Sequence, residues 1–205
     1  MRRMRLWITV VPLVLASGAC QETASDLTLQ EGEEVARIAG PAASELLRTL
    51  VGRLTGAMEE GGPVAAIDFC STEAIPLTHQ VQDGLAEGLV LKRTSFRYRN
   101  PENAPDEAEE EALVHFEDAI AAGESSPATF VQKVSDDEYR FYRALYLGEV
   151  CLQCHGEADS MDPEVLATLQ ERYPGDLATG FKAGDFRGVV RISVPASKIV
   201  LPAQG

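Results

Sequence analysis

The sequence predicts an α+β domain built on an antiparallel sheet, and three observations lead there: helical periodicity comes first, mostly hairpin-connected strands follow, and further helices lie between those strands. From Gln30 to about Glu60 the apolar residues Leu47, Val51, Leu54 and Met58 recur at three-to-four spacing, with Leu46 and Leu50 widening the stripe. That pattern predicts one amphipathic helix or two, with Pro41 at a start or a kink. After Gly61-Gly62-Pro63 a second helix runs through Ala65, Ile67 and Cys70 to about Gln82, with Pro76 as an interruption. Leu89 to Tyr98 reads as a strand through Val90, Phe96 and Tyr98, and Arg99 to Pro105 as a turn-rich loop. Asp106 to Ala122 predicts a helix whose early acids, Asp106, Glu107, Glu109, Glu110 and Glu111, suit the positive end of the helix dipole. The run therefore reads as a solvated helix start and not as a metal site. Phe130-Val131 and Tyr139 to Tyr146 look like two strands, Val150 to Gly156 a turn, Asp162 to Arg172 a short helix, and Val189 to Val194 a last strand. Pro174-Gly175 and the glycines at 180, 184 and 188 mark loops.

The turn at Val150 carries the chemistry. Cys151-Leu152-Gln153-Cys154-His155 is the pattern of covalent c-type haem attachment. Two cysteines separated by two residues reach both vinyl groups on one edge of a porphyrin, and the adjacent histidine falls beneath the iron as its proximal ligand. With four cysteines and three histidines in the chain, random placement gives this pentapeptide with a probability of about one in a thousand. The rival uses of Cys-x-x-Cys fit less well. A zinc site wants two further ligands at short spacing, and a redox pair sits at a helix start in a strand-helix-strand unit. The expected cofactor is thus one covalently attached haem c.

Such attachment takes place outside the cytoplasm, and the N-terminus carries an export pattern. Arg2, Arg3 and Arg5 precede an apolar run from Leu6 to Leu15, too short to span a bilayer, and small residues lead to Cys20. Ser17-Gly18-Ala19-Cys20 resembles a bacterial lipobox with Ser17 where leucine is usual. Read so, Cys20 is the lipidated first residue of the mature chain; otherwise cleavage falls near Ala19 and Cys20 is a spare thiol. The expected organisation is a signal peptide over 1–19, a tether over 20–28 and a single domain over 29–205. The expected place is periplasmic or exported, held to the membrane only by a lipid anchor. Removing residues 1–19, with three arginines and no acids, takes the net charge from −14 to −17. That charge argues against nucleic acid and anionic lipid and favours a basic partner, although solubility alone explains it equally.

With Cys20, Cys151 and Cys154 assigned, Cys70 has no partner for a disulfide. In Ala66-Ile67-Asp68-Phe69-Cys70 it is either a buried small hydrophobe or the sixth ligand of the iron. Competitors for that position are His79, His115, Met58 and Met161.

A wider pattern joins these residues. Ala66 to Ser71, Lys92-Arg93-Thr94-Ser95-Phe96-Arg97-Tyr98-Arg99-Asn100-Pro101-Glu102-Asn103-Ala104-Pro105, the Cys-x-x-Cys-His-Gly run, Tyr173-Pro174-Gly175-Asp176 and Gly184-Asp185-Phe186-Arg187-Gly188 together resemble the Tll-like c-type haem proteins. The resemblance covers roughly residues 28–200. It implies a PAS-like fold and a haem held by Cys151 and Cys154, with His155 proximal and Cys70 opposite. It also implies a redox or gas sensing role, with a small gas as ligand, and Arg97, Arg99 and Arg187 as partners of the propionates. Phe96, Tyr98, Phe141 and Tyr142 are candidates for the pocket wall, plain core being the alternative for each. Many relatives carry a membrane-bound signalling module beside the domain. This chain ends at Gly205 without one, so a sensor here is expected to act through a separate redox or signalling protein. A periplasmic electron carrier is the alternative. An enzyme of sulfur or peroxide chemistry would need an open distal site with an acid-base group, for which His79 is the one histidine available; the balance is against an enzyme.

Overall fold

The computed structural model describes residues 27–201, so Cys20 and the export pattern lie outside the described residues. Helix α1 spans Leu29–Thr72 and begins at a reciprocal cap: Thr28 Oγ1 accepts from the Glu31 N–H at 3.2 Å, and the Glu31 carboxylate accepts from the Thr28 N–H at 2.8 Å. The Tyr139 hydroxyl donates to the same carboxylate from the sheet. Backbone dihedrals stay helical through Pro41 and break only at Gly61 and Gly62, the latter at φ 69°. Glycine adopts that conformation without steric cost, and Pro63 after it has its φ preset for a new helical turn. The kink therefore falls at the glycine pair and not at Pro41.

The face of α1 that meets the sheet is also shifted from the expected stripe. Val35, Ala39, Ala42, Ala43, Leu46 and Leu50 are buried, whereas Val51 is 57 % exposed and Leu47, Leu54 and Met58 are half-buried. Alanines give little hydrophobic signal, yet their size lets the helix axis approach the strands closely. Arg143 Nη1 donates to Ser44 Oγ at 2.6 Å and ties the sheet to this face.

The remaining elements are α2 (Ala74–Asp83), β1 (Val90–Thr94), α3 (Glu107–Ala121), β2 (Thr129–Lys133), β3 (Glu138–Tyr146), α4 (Leu152–His155), α5 (Pro163–Arg172) and β4 (Phe186–Pro195). Pro76 sits in the first turn of α2, where its missing N–H has no intrahelical bond to lose. The four strands pair antiparallel in the order β1-β4-β3-β2. The expected α+β class is present, in a PAS-like arrangement. Side chains alternate between the two faces of the sheet. Leu91, Tyr139, Phe141, Val190, Ile192 and Val194 pack under α1, and Tyr142 and Val189 pack against Ala112, Leu113 and Phe116 of α3. Phe141 and Tyr142, candidates for the pocket wall, are core residues on opposite faces.

One acid of the α3 run departs from its expected role. Glu109 is fully buried. Its Oε2 accepts from the Asp106 N–H at 3.0 Å and from Lys92 Nζ at 2.6 Å, and its Oε1 accepts from Arg191 Nε at 2.9 Å. A single carboxylate thus caps α3 and holds β1 and β4 beneath it. Removing one partner of a buried ion pair leaves the others charged and unpaired, which costs about 3–5 kcal/mol. Glu109→Ala should lower unfolding free energy in urea by about that amount, while Glu110→Ala, at an exposed neighbouring position, should change it by less than about 0.5 kcal/mol.

Candidate functional site

An open cavity of about 800 Å³, its mouth included, lies where the end of α1, the start of α2, the end of β1 and helix α4 converge. Cys70 enters from α1 and His155 from α4. Arg93, Thr94 and Ser95 come from β1 and the residue after it, Tyr98 and Arg99 from the following loop, Tyr173 from the end of α5 and Arg187 from the start of β4.

The strand expected to reach Tyr98 ends at Thr94, and Gly188 explains why. At φ 140° it brings β4 so close that a Cβ there would stand 2.4 Å from the Thr94 carbonyl oxygen. Ser95 then turns inward: its hydroxyl donates to the Arg187 carbonyl at 2.7 Å and accepts from Arg187 Nη1 at 2.9 Å. The chain peels away, and the residues from Arg97 onward become loop.

His155 Nδ1 donates to the Ala178 carbonyl at 2.7 Å, which assigns the proton to Nδ1 and leaves the Nε2 lone pair unused. Burial pushes the imidazole down to about pKa 3, and the positive charges of Arg99, Arg187 and Arg97 push the same way, so the ring is neutral at neutral pH. The Ala178 oxygen also accepts from Arg99 Nη2 at 3.2 Å, and the same nitrogen bonds the Cys154 carbonyl. Arg99 Nε pairs with Asp176 at 3.0 Å, and Asp176 accepts from the Ala178 N–H at 2.7 Å. Backbone bonds from Gly180 N–H to the Gly156 carbonyl, 2.7 Å, and from Phe181 N–H to the His155 carbonyl, 2.9 Å, fasten this loop to α4.

Of the three described thiols Cys70 lines the cavity, and Cys151 and Cys154 do not. Burial pushes the Cys70 thiol up against the opposing pull of Arg93 and Arg99. Burial also raises Cys154, which feels both Cys70 and Cys151 as electrostatic neighbours. Cys151 packs against Leu147, Ala178 and Phe181, and Cys154 packs on the cluster of Ile67, Met161, Val165 and Leu169. Met161 is therefore core. His79 is exposed on α2 and outside the cavity lining, and His115 is exposed on α3 and stacked on Phe130 at 3.9 Å.

Of the three arginines named from the sequence, Arg99 and Arg187 line the cavity. Arg97 does not: its guanidinium lies over the Phe181 ring at 3.8 Å, its Nε donates to the Leu177 carbonyl at 3.2 Å, and it borders a separate shallow pocket with Phe96. Arg93 and Tyr173 are among the lining residues not singled out for the site beforehand. Arg93 shares a sheet face with Leu91 by strand alternation, a signal already available in Leu91-Lys92-Arg93. Tyr173, pushed up to about pKa 12 mainly by burial, stands at the head of the Tyr173-Pro174-Gly175-Asp176 run.

Among the described residues no group of three or more His, Cys, Asp or Glu side chains could hold a metal ion. One imidazole nitrogen and one thiol on a shared cavity would suit instead a metal that arrives with ligands of its own.

Comparison with known proteins identifies a family. No relative among curated proteins matches the chain. The crystal structure described as that of the cyanobacterial heme-protein Tll0287 is similar over 83 % of this chain and 98 % of its own, with 25 % sequence identity and a TM-score of 0.58. The Tll0287-like family model matches residues 19–195. The chain belongs to the Tll0287-like family.

Proposed function

We propose that this protein is an exported, membrane-anchored monohaem c-type cytochrome with a redox or gas sensing role. The observation that carries the reading is the convergence of a neutral His155, its Nε2 lone pair unused, and Cys70 on one cavity beside Cys151 and Cys154. When bound, the haem supplies an iron that cycles between ferric and ferrous forms.

The chain's own residues have distinct parts to play. Cys151 and Cys154 would hold the haem through thioether bonds. Ala178 fixes the His155 tautomer and ring plane, and Arg99 holds both Ala178 and Cys154 in place. Cys70 would hold the iron together with His155, in a setting where burial favours the neutral thiol and two arginines favour the thiolate. That balance would let ligation respond to the charge of the iron, and it supports sensing over passive carriage. Export and lipidation at Cys20 rest on the sequence pattern at 17–20.

A simple electron carrier is the second reading. Exposed Glu149, Glu157 and Asp159 around α4 favour it, because an acidic rim suits a basic redox partner.

Three measurements test the proposal. When the protein is expressed with a cytochrome c maturation system, haem should stay with the wild-type chain on a denaturing gel and be lost from Cys151→Ala/Cys154→Ala. The ferric protein should give a low-spin thiolate-type paramagnetic resonance signal that Cys70→Ser abolishes. An unchanged signal in that variant, with ligation constant on reduction by dithionite, would instead favour the electron carrier. In the apoprotein His155 stays neutral down to about pH 3 while the unfolded chain takes a proton near 6.5. The unfolded state therefore binds more protons between those limits, and stability falls as pH drops from 6.5 towards 3. Urea titrations across that window should show a smaller fall for His155→Gln.

A further inference from the structure

The cavity holds more positive charge than its own acids balance. Arg93, Arg99 and Arg187 line it, and no Asp or Glu does. Arg99 is largely engaged: its Nε bonds Asp176, and its Nη2 bonds the Cys154 and Ala178 carbonyls. Arg187 has Ser95 Oγ at 2.9 Å and Arg93 has only the Ala74 carbonyl at 3.5 Å. Arg93 Nε is buried with no hydrogen-bond partner, the one such side-chain nitrogen or oxygen among the described residues. A buried guanidinium without an anion is costly, and a planar fork of donors matches a carboxylate in two-point geometry.

We infer that Arg93 and Arg187 are the two carboxylate-binding groups of this cavity, so that the site selects a porphyrin bearing two free acid side chains, and that Arg93 takes the place the sequence had given to Arg97. The inference rests on the haem reading above and refines it. Two uncompensated guanidiniums meet two carboxylates, which leaves Arg99 as a positioning residue for α4. The depressed pKa of Arg187, about 10, reflects burial first and the neighbouring arginines next, and it agrees with a site awaiting negative charge.

The test compares two probes on the full chain carrying Cys151→Ala/Cys154→Ala, so that binding is reversible: haemin and haemin dimethyl ester, which differ only in the charge of the two acid groups. Optical titration should show haemin binding more tightly, by roughly tenfold or more for each charge-assisted contact. Adding Arg93→Gln should weaken haemin by about tenfold and leave the ester nearly unchanged, and Arg187→Gln should do the same; Arg93→Lys should keep part of the preference. Arg97→Gln should leave the preference intact. Equal weakening of both probes by Arg93→Gln would mean that Arg93 only supports the fold, and an undiminished preference would mean that other groups hold the acids; either result overturns the inference while the haem reading stands. Failure of the chain to bind either probe overturns both.

Discussion

The Ala178 carbonyl oxygen accepts two hydrogen bonds, one from His155 Nδ1 and one from Arg99, and the geometry of the site follows from that sharing. The first bond sets which imidazole nitrogen is free. The second ties the same oxygen to a guanidinium that also holds the Cys154 carbonyl and Asp176, and Asp176 returns to the Ala178 N–H. The circuit is closed, so no member can move without opening a charge-assisted bond in a buried place. Helix α4 is a single turn of Leu152–His155, far too short to be stable by itself. Its orientation is imposed by the loop around Ala178 and not by helix propensity.

The sheet is organised by an analogous device on its other side. Glu109 caps α3 and receives Lys92 from β1 and Arg191 from β4, so the edge strand that carries Arg93 is fixed in register by a carboxylate on the opposite face. Strand alternation does the rest. With Lys92 directed to Glu109, its neighbour Arg93 must face the cavity. Structure on one side of the sheet thereby determines chemistry on the other.

Much of this was legible in the sequence, for identifiable reasons. The helices over α3 and α5 begin at Asp106 and Asp162, whose side chains accept from backbone N–H groups as N-caps do. The Cys-x-x-Cys-His run was read as a turn and forms the single helical turn α4, and Cys70, left open between core and ligand, lines the cavity. What was misread shares one cause: tertiary contacts decide which of two plausible faces is buried. Alanines won the core face of α1 from Val51, because close approach mattered more than side-chain bulk. Glu109 left solvent because two cations waited under the sheet. Arg97 and Arg93 differ by four positions, so a strand carried on to Tyr98 would turn both to one face; the strand ends at Thr94, where Gly188 presses against it, and Arg97 leaves the cavity lining while Arg93 stays.

The Gly61-Gly62 break divides α1 into a scaffold and a short arm bearing Cys70. In an unbroken helix each inserted or deleted residue would rotate everything beyond it by about 100°. Two non-helical residues let the arm take its angular phase from local packing against α5 and α2 instead of from the helix before it. Length changes in the first part of α1 can therefore be absorbed upstream of Cys70, and the thiol keeps its bearing on the cavity.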